Sequence, residues 1–313
     1  MSSVDPVILF FLLGVGAGLA RSDLRLPPAL YDFLSMYLLL SIGLKGGVEL
    51  AEQPFAPLVP QIAVVFLMGV VLPLLAYPLL RYVGRFRRVD AASIAAHYGS
   101  VSIGTFAVAV AYLGTRGIPY ESYLALFLVI LEMPAILVGV VLARGLPGGS
   151  RWGHLAHEIL AGKAIALLSG GLVIGWISSP ESLASLEGFF FGLFRGFLAL
   201  FLLEMGLICS AQIASLRRWG PFLAAFGVLM PVVSAVIGCL AGLLLGLSTG
   251  GTALLGVLAA SASYIAVPAA MRISVPEANP TLSLAASLGV TFPFNVTLGI
   301  PLYLKMAQWI HGG

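Results

Sequence analysis

Residues 57–80 carry no charged side chain. A helix rises 1.5 Å per residue, so a stretch of about 24 residues covers the ~30 Å hydrocarbon core of a bilayer. Similar runs recur along the chain. Only 9% of residues are charged, against about 25% in a soluble domain. Hydrophobic residues make up 60%, and the mean hydropathy is +1.06. A closed barrel would alternate in segments of roughly ten residues, which these unbroken runs do not. The chain therefore reads as an all-α membrane protein. Ten spans are expected, at 5–20, 29–49, 57–80, 90–113, 121–143, 163–179, 189–213, 220–247, 252–272 and 281–306. The first is short and resembles a signal-peptide core. Asp5 stands where a basic region would precede such a core, so it is kept as a span. Cys209 and Cys239 lie in apolar runs without metal-ligand neighbours and read as packing residues.

Charge placement orients the spans. Twelve of the sixteen Lys and Arg fall on odd-numbered loops, among them Arg81, Arg85, Arg87 and Arg88 after span three and Arg144, Arg151 and Lys163 after span five. The positive-inside rule puts those loops in the cytoplasm and both termini outside. The longest connection, 144–162 with Gly148-Gly149-Ser150, separates a first unit of residues 1–150 from a second of 151–313.

The two units share a pattern. GSVS at 99–102 answers ASAS at 260–263, pairing Ser100 with Ser261 and Ser102 with Ser263 at an offset of 161 residues. Gly43-Leu44 matches Gly206-Leu207, Glu132-Met133-Pro134 matches Thr291-Phe292-Pro293, and Gly14 and Gly18 match Gly171 and Gly175, at offsets of 163, 159 and 157. Each unit has five spans, an odd number, so the second enters from the opposite face. The expectation is a 5+5 inverted repeat, an architecture of secondary transporters.

The serine motifs fall in spans four and nine. Gly99 and Gly104 in one, and Pro268 in the other, favour interruption of the helix. Beyond each break a half-helix would begin, with free N–H groups and about half a positive charge at its N-terminus. Two such ends suit a small anion, with Gly99, Ser100, Ser102, Gly104, Thr105, Ala262, Ser263 and Tyr264 around it. The competing reading is that each serine bonds its own i−4 carbonyl and eases packing; matched placement in both halves weighs against it. Glu132 is a mid-span acid and requires a partner or a cation. Hard cations take oxygen ligands, and Glu132, Ser261, Ser263, Thr291 and Asn295 supply them. The alternative for Glu132 is a structural ion pair, with Arg195 as a partner. Glu204 and Arg195 lie nine residues apart on span seven, on opposite faces, and cannot pair with each other. A His97–Ser100 dyad would suggest a hydrolase, but no acid is spaced to orient the imidazole. The chain reads as no enzyme, and His97 as a hydrogen-bonded intramembrane residue.

ASASYIAVPAAMRISVPEANP (260–280), TFPFNVTLGIPLY (291–303), AAHYGSVS (95–102) and LLEMGL (202–207) resemble the sodium-dependent bicarbonate transporters first described in cyanobacteria. The resemblance runs through all ten spans. It implies a 5+5 inverted repeat with broken, crossing spans four and nine, and sodium-coupled bicarbonate uptake without a bound cofactor. It also implies a homotrimer in the bacterial inner membrane and a cytoplasmic PII-like regulatory partner. Bicarbonate and sodium would sit at the crossing, on the serine motifs. The 144–162 connection is shorter than in the cyanobacterial members. Other readings are a sodium-coupled symporter of another small anion or carboxylate, and a non-transporting membrane sensor. Nothing suggests nucleic-acid binding.

Overall fold

A computed structural model of the protein describes residues 5–145, 157, 161–216 and 220–312. Gly148–Ser150, Arg151, Arg217 and Arg218 lie outside the described residues, as does the boundary at 150/151. Among the described residues there is no strand. Seven helices are long and apolar enough to cross a membrane, and Pro6–Leu19, Lys163–Ile177 and Thr249–Ala259 are shorter apolar helices. The protein is an all-helical, multi-pass membrane protein.

In chain order the helices are α1 (Pro6–Leu19), α2 (Pro28–Ala51), α3 (Phe55–Pro78), α4 (Arg88–Gly99), α5 (Ile103–Gly114) and α6 (Ala125–Arg144). Then come α7 (Lys163–Ile177), α8 (Pro180–Glu187), α9 (Phe194–Leu216), α10 (Gly220–Leu244), α11 (Thr249–Ala259) and α12 (Ala266–Ser274). The last is α13 (Pro280–Ile310). Asp5 caps α1, its Oδ1 accepting from the Val7 amide at 3.0 Å, and Pro6 fills the first helical position, where a missing N–H is harmless. Pro180 plays the same part in α8 after the N-cap Ser179. That helix was not anticipated, because proline marks a loop and a first helical turn alike. Wide π turns follow Pro78 at Leu79–Val83 and flank Pro293 at Ser287–Thr291 and Asn295–Gly299. They let α3 and α13 carry prolines without ending.

Two packings organise the molecule. Helix α1 lies along α9, and α2 along α7. Both contacts are glycine-to-glycine. A Cβ on Gly14 would collide with the backbone of Leu203, and one on Gly43 would come within 2.6 Å of Leu168 O. Small residues of this kind let helix backbones approach where lipid supplies no hydrophobic drive. Helices α3, α4 and α6 pack on one another, and α11 packs on α10 and α13. In the stretch Arg88–Gly114, 94% of the apolar segment is buried, against 39% in Ala56–Val83. The span holding the first serine motif is thus central, while α3 turns Phe66, Leu67, Leu74 and Leu75 outward, as a lipid-facing helix does.

Candidate functional site

The span expected at 90–113 is two helices. Helix α4 stops at Gly99, Ser100 is extended (φ −101°, ψ −174°), and α5 starts after Ser102 (φ −116°, ψ 111°). The span expected at 252–272 likewise divides into α11 and α12 around residues 260–265. The interruptions cross, with the Ser263 amide donating to His97 O at 2.8 Å. Gly99 ends its helix against α3, where a Cβ would strike the ring of Pro73. Carbonyls freed at a helix end must find donors. Asn295 Nδ2 serves Ala260 O at 2.8 Å, and Tyr303 steadies that amide by donating to Asn295 Oδ1 at 2.7 Å.

The two matched serines perform the same task. Ser102 Oγ accepts from the Thr105 amide at 3.1 Å and from Thr105 Oγ1 at 2.8 Å. Ser263 Oγ accepts from the Val267 amide at 3.3 Å. A hydroxyl has two lone pairs and one proton. Ser102 spends both lone pairs on Thr105 in the first turn of α5, while Ser263 spends one on the first turn of α12 and keeps the other. Ser102, Ser263, Tyr264 and Glu132 line one small space with Val101, Ile103 and Ile265, and it has no room for a water molecule. Tyr264 Oη abuts Gly104, where a Cβ would lie 2.5 Å from it. The N-termini of α5 and α12 both open on this space. It therefore collects three hydroxyl side chains, two helix-terminal positive ends and one carboxylate.

Glu132 is buried and makes no hydrogen bond or ion pair among the described residues. Arg195 instead pairs with Asp5 at 3.1 Å, which removes it as the partner of Glu132. Glu204 is a second acid in a span, and its Oε2 is buried without a partner.

Other residues singled out in the sequence hold the crossing together instead of lining the space. Ser261 Oγ donates to Val257 O at 2.7 Å, the i−4 bond, whereas its counterpart Ser100 Oγ is buried without a partner. Thr291 Oγ1 donates to Gly227 O at 2.7 Å, so the 2.6 Å contact with Tyr98 Oη is donated by the tyrosine. Thr105 serves Ser102 as described, and Ala262 packs beside Tyr98 in a small apolar cluster. His97 Nδ1 lies 2.7 Å from Ser93 O, with no bond to Ser100. Cys209 and Cys239 are buried and unbridged.

A larger cleft of about 700 Å³ had no motif to announce it. It lies between α2, α5 and the 187–194 segment, with Lys45, Glu49 and Glu187 on its walls and Phe106, one turn beyond Ser102, among its lining residues. Lys45 donates to Tyr120 Oη at 2.7 Å, and Glu49 accepts from the Ser122 amide at 2.5 Å. The available signal was Lys45 itself, one of the few basic residues away from the odd loops.

A family model, the Na+-dependent bicarbonate transporter superfamily, matches residues 6–308. The chain belongs to that superfamily. The match takes in every helix that builds the crossing and excludes only the chain ends. A comparison with curated proteins finds no match. Membership makes the protein a transporter and not an enzyme, which disposes of the His97–Ser100 dyad.

Proposed function

We propose that the protein is a secondary active transporter that carries bicarbonate into the cell together with sodium, and that both bind at the crossing of the two interrupted helices. The observation that carries this reading is that Ser102 and Ser263 line one small space with Glu132, whose carboxyl has no hydrogen-bond or ion-pair partner among the described residues. Bicarbonate accepts from the serines and from the ends of α5 and α12, with Gly99, Ser100, Gly104, Thr105, Ala262 and Tyr264 shaping the site. Sodium binds Glu132 and Ser263, while Ser261, Thr291 and Asn295 hold the surrounding backbone. Coupling has a physical motive. An inside-negative potential opposes a monovalent anion by about 2.3 kcal/mol per 100 mV. One co-transported sodium cancels that term and leaves the sodium gradient to drive uptake.

The 5+5 inverted repeat belongs to the same reading, and matched contacts support it. Exchanging the halves turns the Gly14–Gly206 contact of α1 and α9 into the Gly171–Gly43 contact of α7 and α2. It also turns the contact of Gly69 with Leu131 into that of Gly227 with Val290. Asp5–Arg195 and Thr252–His311 keep each chain end beside the even-loop ends of the helices, the face assigned to the outside. The inner membrane, the homotrimer and a PII-like partner rest on the sequence resemblance.

The experiment is uptake of radiolabelled bicarbonate by proteoliposomes, with and without an inward sodium gradient and against a panel of small anions. Uptake should require sodium and be competed best by bicarbonate. Sodium-independent uptake refutes the coupling, preference for another anion refutes the substrate, and absence of any flux leaves the sensor reading.

A further inference from the structure

A second cavity, of about 70 Å³, lies between α4 and the turn joining α12 to α13. By that measure one water needs roughly 10–15 Å³, so the space holds a small polyatomic ion. His97 and Arg272 both line it, with Ser93, Pro268, Met271 and Ala278.

The protonation pattern of His97 follows from geometry. A carbonyl oxygen only accepts, so the 2.7 Å contact between Nδ1 and Ser93 O fixes a proton on Nδ1. In the neutral ring Nε2 is then an acceptor. His97 is 1% exposed, and its Nε2 has no partner among the described residues. A buried polar atom left bare in this way calls for a donor. Arg272 is exposed and makes no hydrogen bond or ion pair among the described residues. The acids near this end of the fold are already engaged. Asp90 pairs with Arg87 at 2.6 Å and accepts from the Asn279 amide, and Glu277 pairs with Arg144 at 2.8 Å. Arg272 is thus surplus positive charge at a cavity that a bare acceptor also lines.

We propose that this cavity is a second binding site, distinct from the crossing, for a small oxoanion that carries one hydroxyl. The hydroxyl donates to His97 Nε2, and the charged oxygens face Arg272. Acceptor-only anions such as nitrate satisfy Arg272 but leave His97 bare. The identity of the ligand as hydrogencarbonate rests on the transport reading above. The cavity lies on the basic face, which that reading places in the cytoplasm. His97 also accepts the Ser263 amide through its carbonyl, so the site adjoins the crossing and lies on the inner path from it.

The test uses full-length purified protein with 15N-labelled histidine. The His97 Nε2 resonance, assigned by its loss in His97→Gln, is followed during titration with sodium hydrogencarbonate or sodium nitrate at one pH and ionic strength. Hydrogencarbonate should move it and nitrate should not. Arg272→Gln should raise the midpoint at least tenfold, and Ser102→Ala should leave it unchanged. No movement at the highest hydrogencarbonate concentration means that water alone fills the cavity, and overturns the proposal. Equal movement with nitrate, or loss of the response in Ser102→Ala, also overturns it. Proteoliposome flux of the wild type is read separately. Its absence refutes the transport reading while the resonance still decides whether the site exists.

Discussion

Glu132→Gln separates a cation ligand from a structural acid. A carboxylate at mid-membrane is disfavoured by roughly 2.5–3.5 kcal/mol or more. In a structural ion pair, removing the acid would strand its partner and destabilise the protein. Glu132 has no such partner, and Arg195 is held by Asp5. Neutralising Glu132 should therefore leave the sodium-free protein as stable as the wild type, or more so. The sodium-bound state should suffer instead. A cation and a carboxylate 4 Å apart attract by about 4 kcal/mol at an effective dielectric of 20. Losing even about 1.4 kcal/mol of that is tenfold in affinity. The expected result is at least a tenfold rise in the sodium needed for half-maximal uptake, with much of the maximal rate retained at saturating sodium. Thermal unfolding in detergent supplies the second measurement. Sodium should raise the midpoint of the wild type and not that of Glu132→Gln, as linkage requires of a ligand that has lost its site. Adding Arg195→Gln should rescue nothing. An unchanged sodium curve, or a sodium-free protein that unfolds well below the wild type, would refute the argument.

Three further outcomes follow from the same geometry. Ser102→Ala and Ser263→Ala should each reduce bicarbonate uptake severalfold with only about 1 kcal/mol lost from helix capping, whereas Ser102→Thr should retain uptake; normal uptake by the double alanine variant removes the serines from the site. Gly43→Leu should lower the unfolding midpoint and the yield of folded protein, by 1–3 kcal/mol or more for forced overpacking, because its Cβ already falls within 2.6 Å of Leu168 O; an unchanged midpoint would show that α2 and α7 part easily. Tyr303→Phe releases Asn295 and should cost about 0.6 kcal/mol, the usual scale of a side-chain hydrogen bond in a membrane, so thermal unfolding should barely move while uptake falls; a loss of stability severalfold larger would make the contact a structural support.

Most of the fold was legible in the sequence because lipid leaves a chain few options. Residues 57–80 could only be helical, and α3 with the π turn that follows it covers them. The interruptions were legible for a different reason. Gly99 and Gly104 in one half and Pro268 in the other sit beside hydroxyls that a continuous lipid-facing helix has no use for. Pairing was not legible. Ser261 and Ser263 are two residues apart in the interrupted segment, yet one bonds back to Val257 and the other accepts from the first turn of α12. Thr291 and Asn295 looked like free oxygen donors from their register with Glu132. The fold brings Tyr98, Gly227, Ala260 and Tyr303 against them from elements remote in sequence. What a side chain has left to offer depends on which bonds tertiary packing has already claimed.

That distinction gives the proposed repeat its functional point. Ser102 and Ser263 keep matched roles, while Glu132 and Thr291 have diverged: the acid lines the central space, and the hydroxyl is bonded to Tyr98 and Gly227. A symmetric pair of acids would repel across the crossing and would also oppose an anion. A symmetric pair of hydroxyls would leave a cation without charge compensation. One acid in a frame of otherwise paired donors gives a net-neutral site once a monovalent anion and two positive helix ends of about half a charge each are counted with one sodium and the carboxylate. Filling such a site, once the crossing opens to admit both ions, brings no uncompensated charge into the membrane interior, which is the condition under which it can be loaded on one face and emptied on the other.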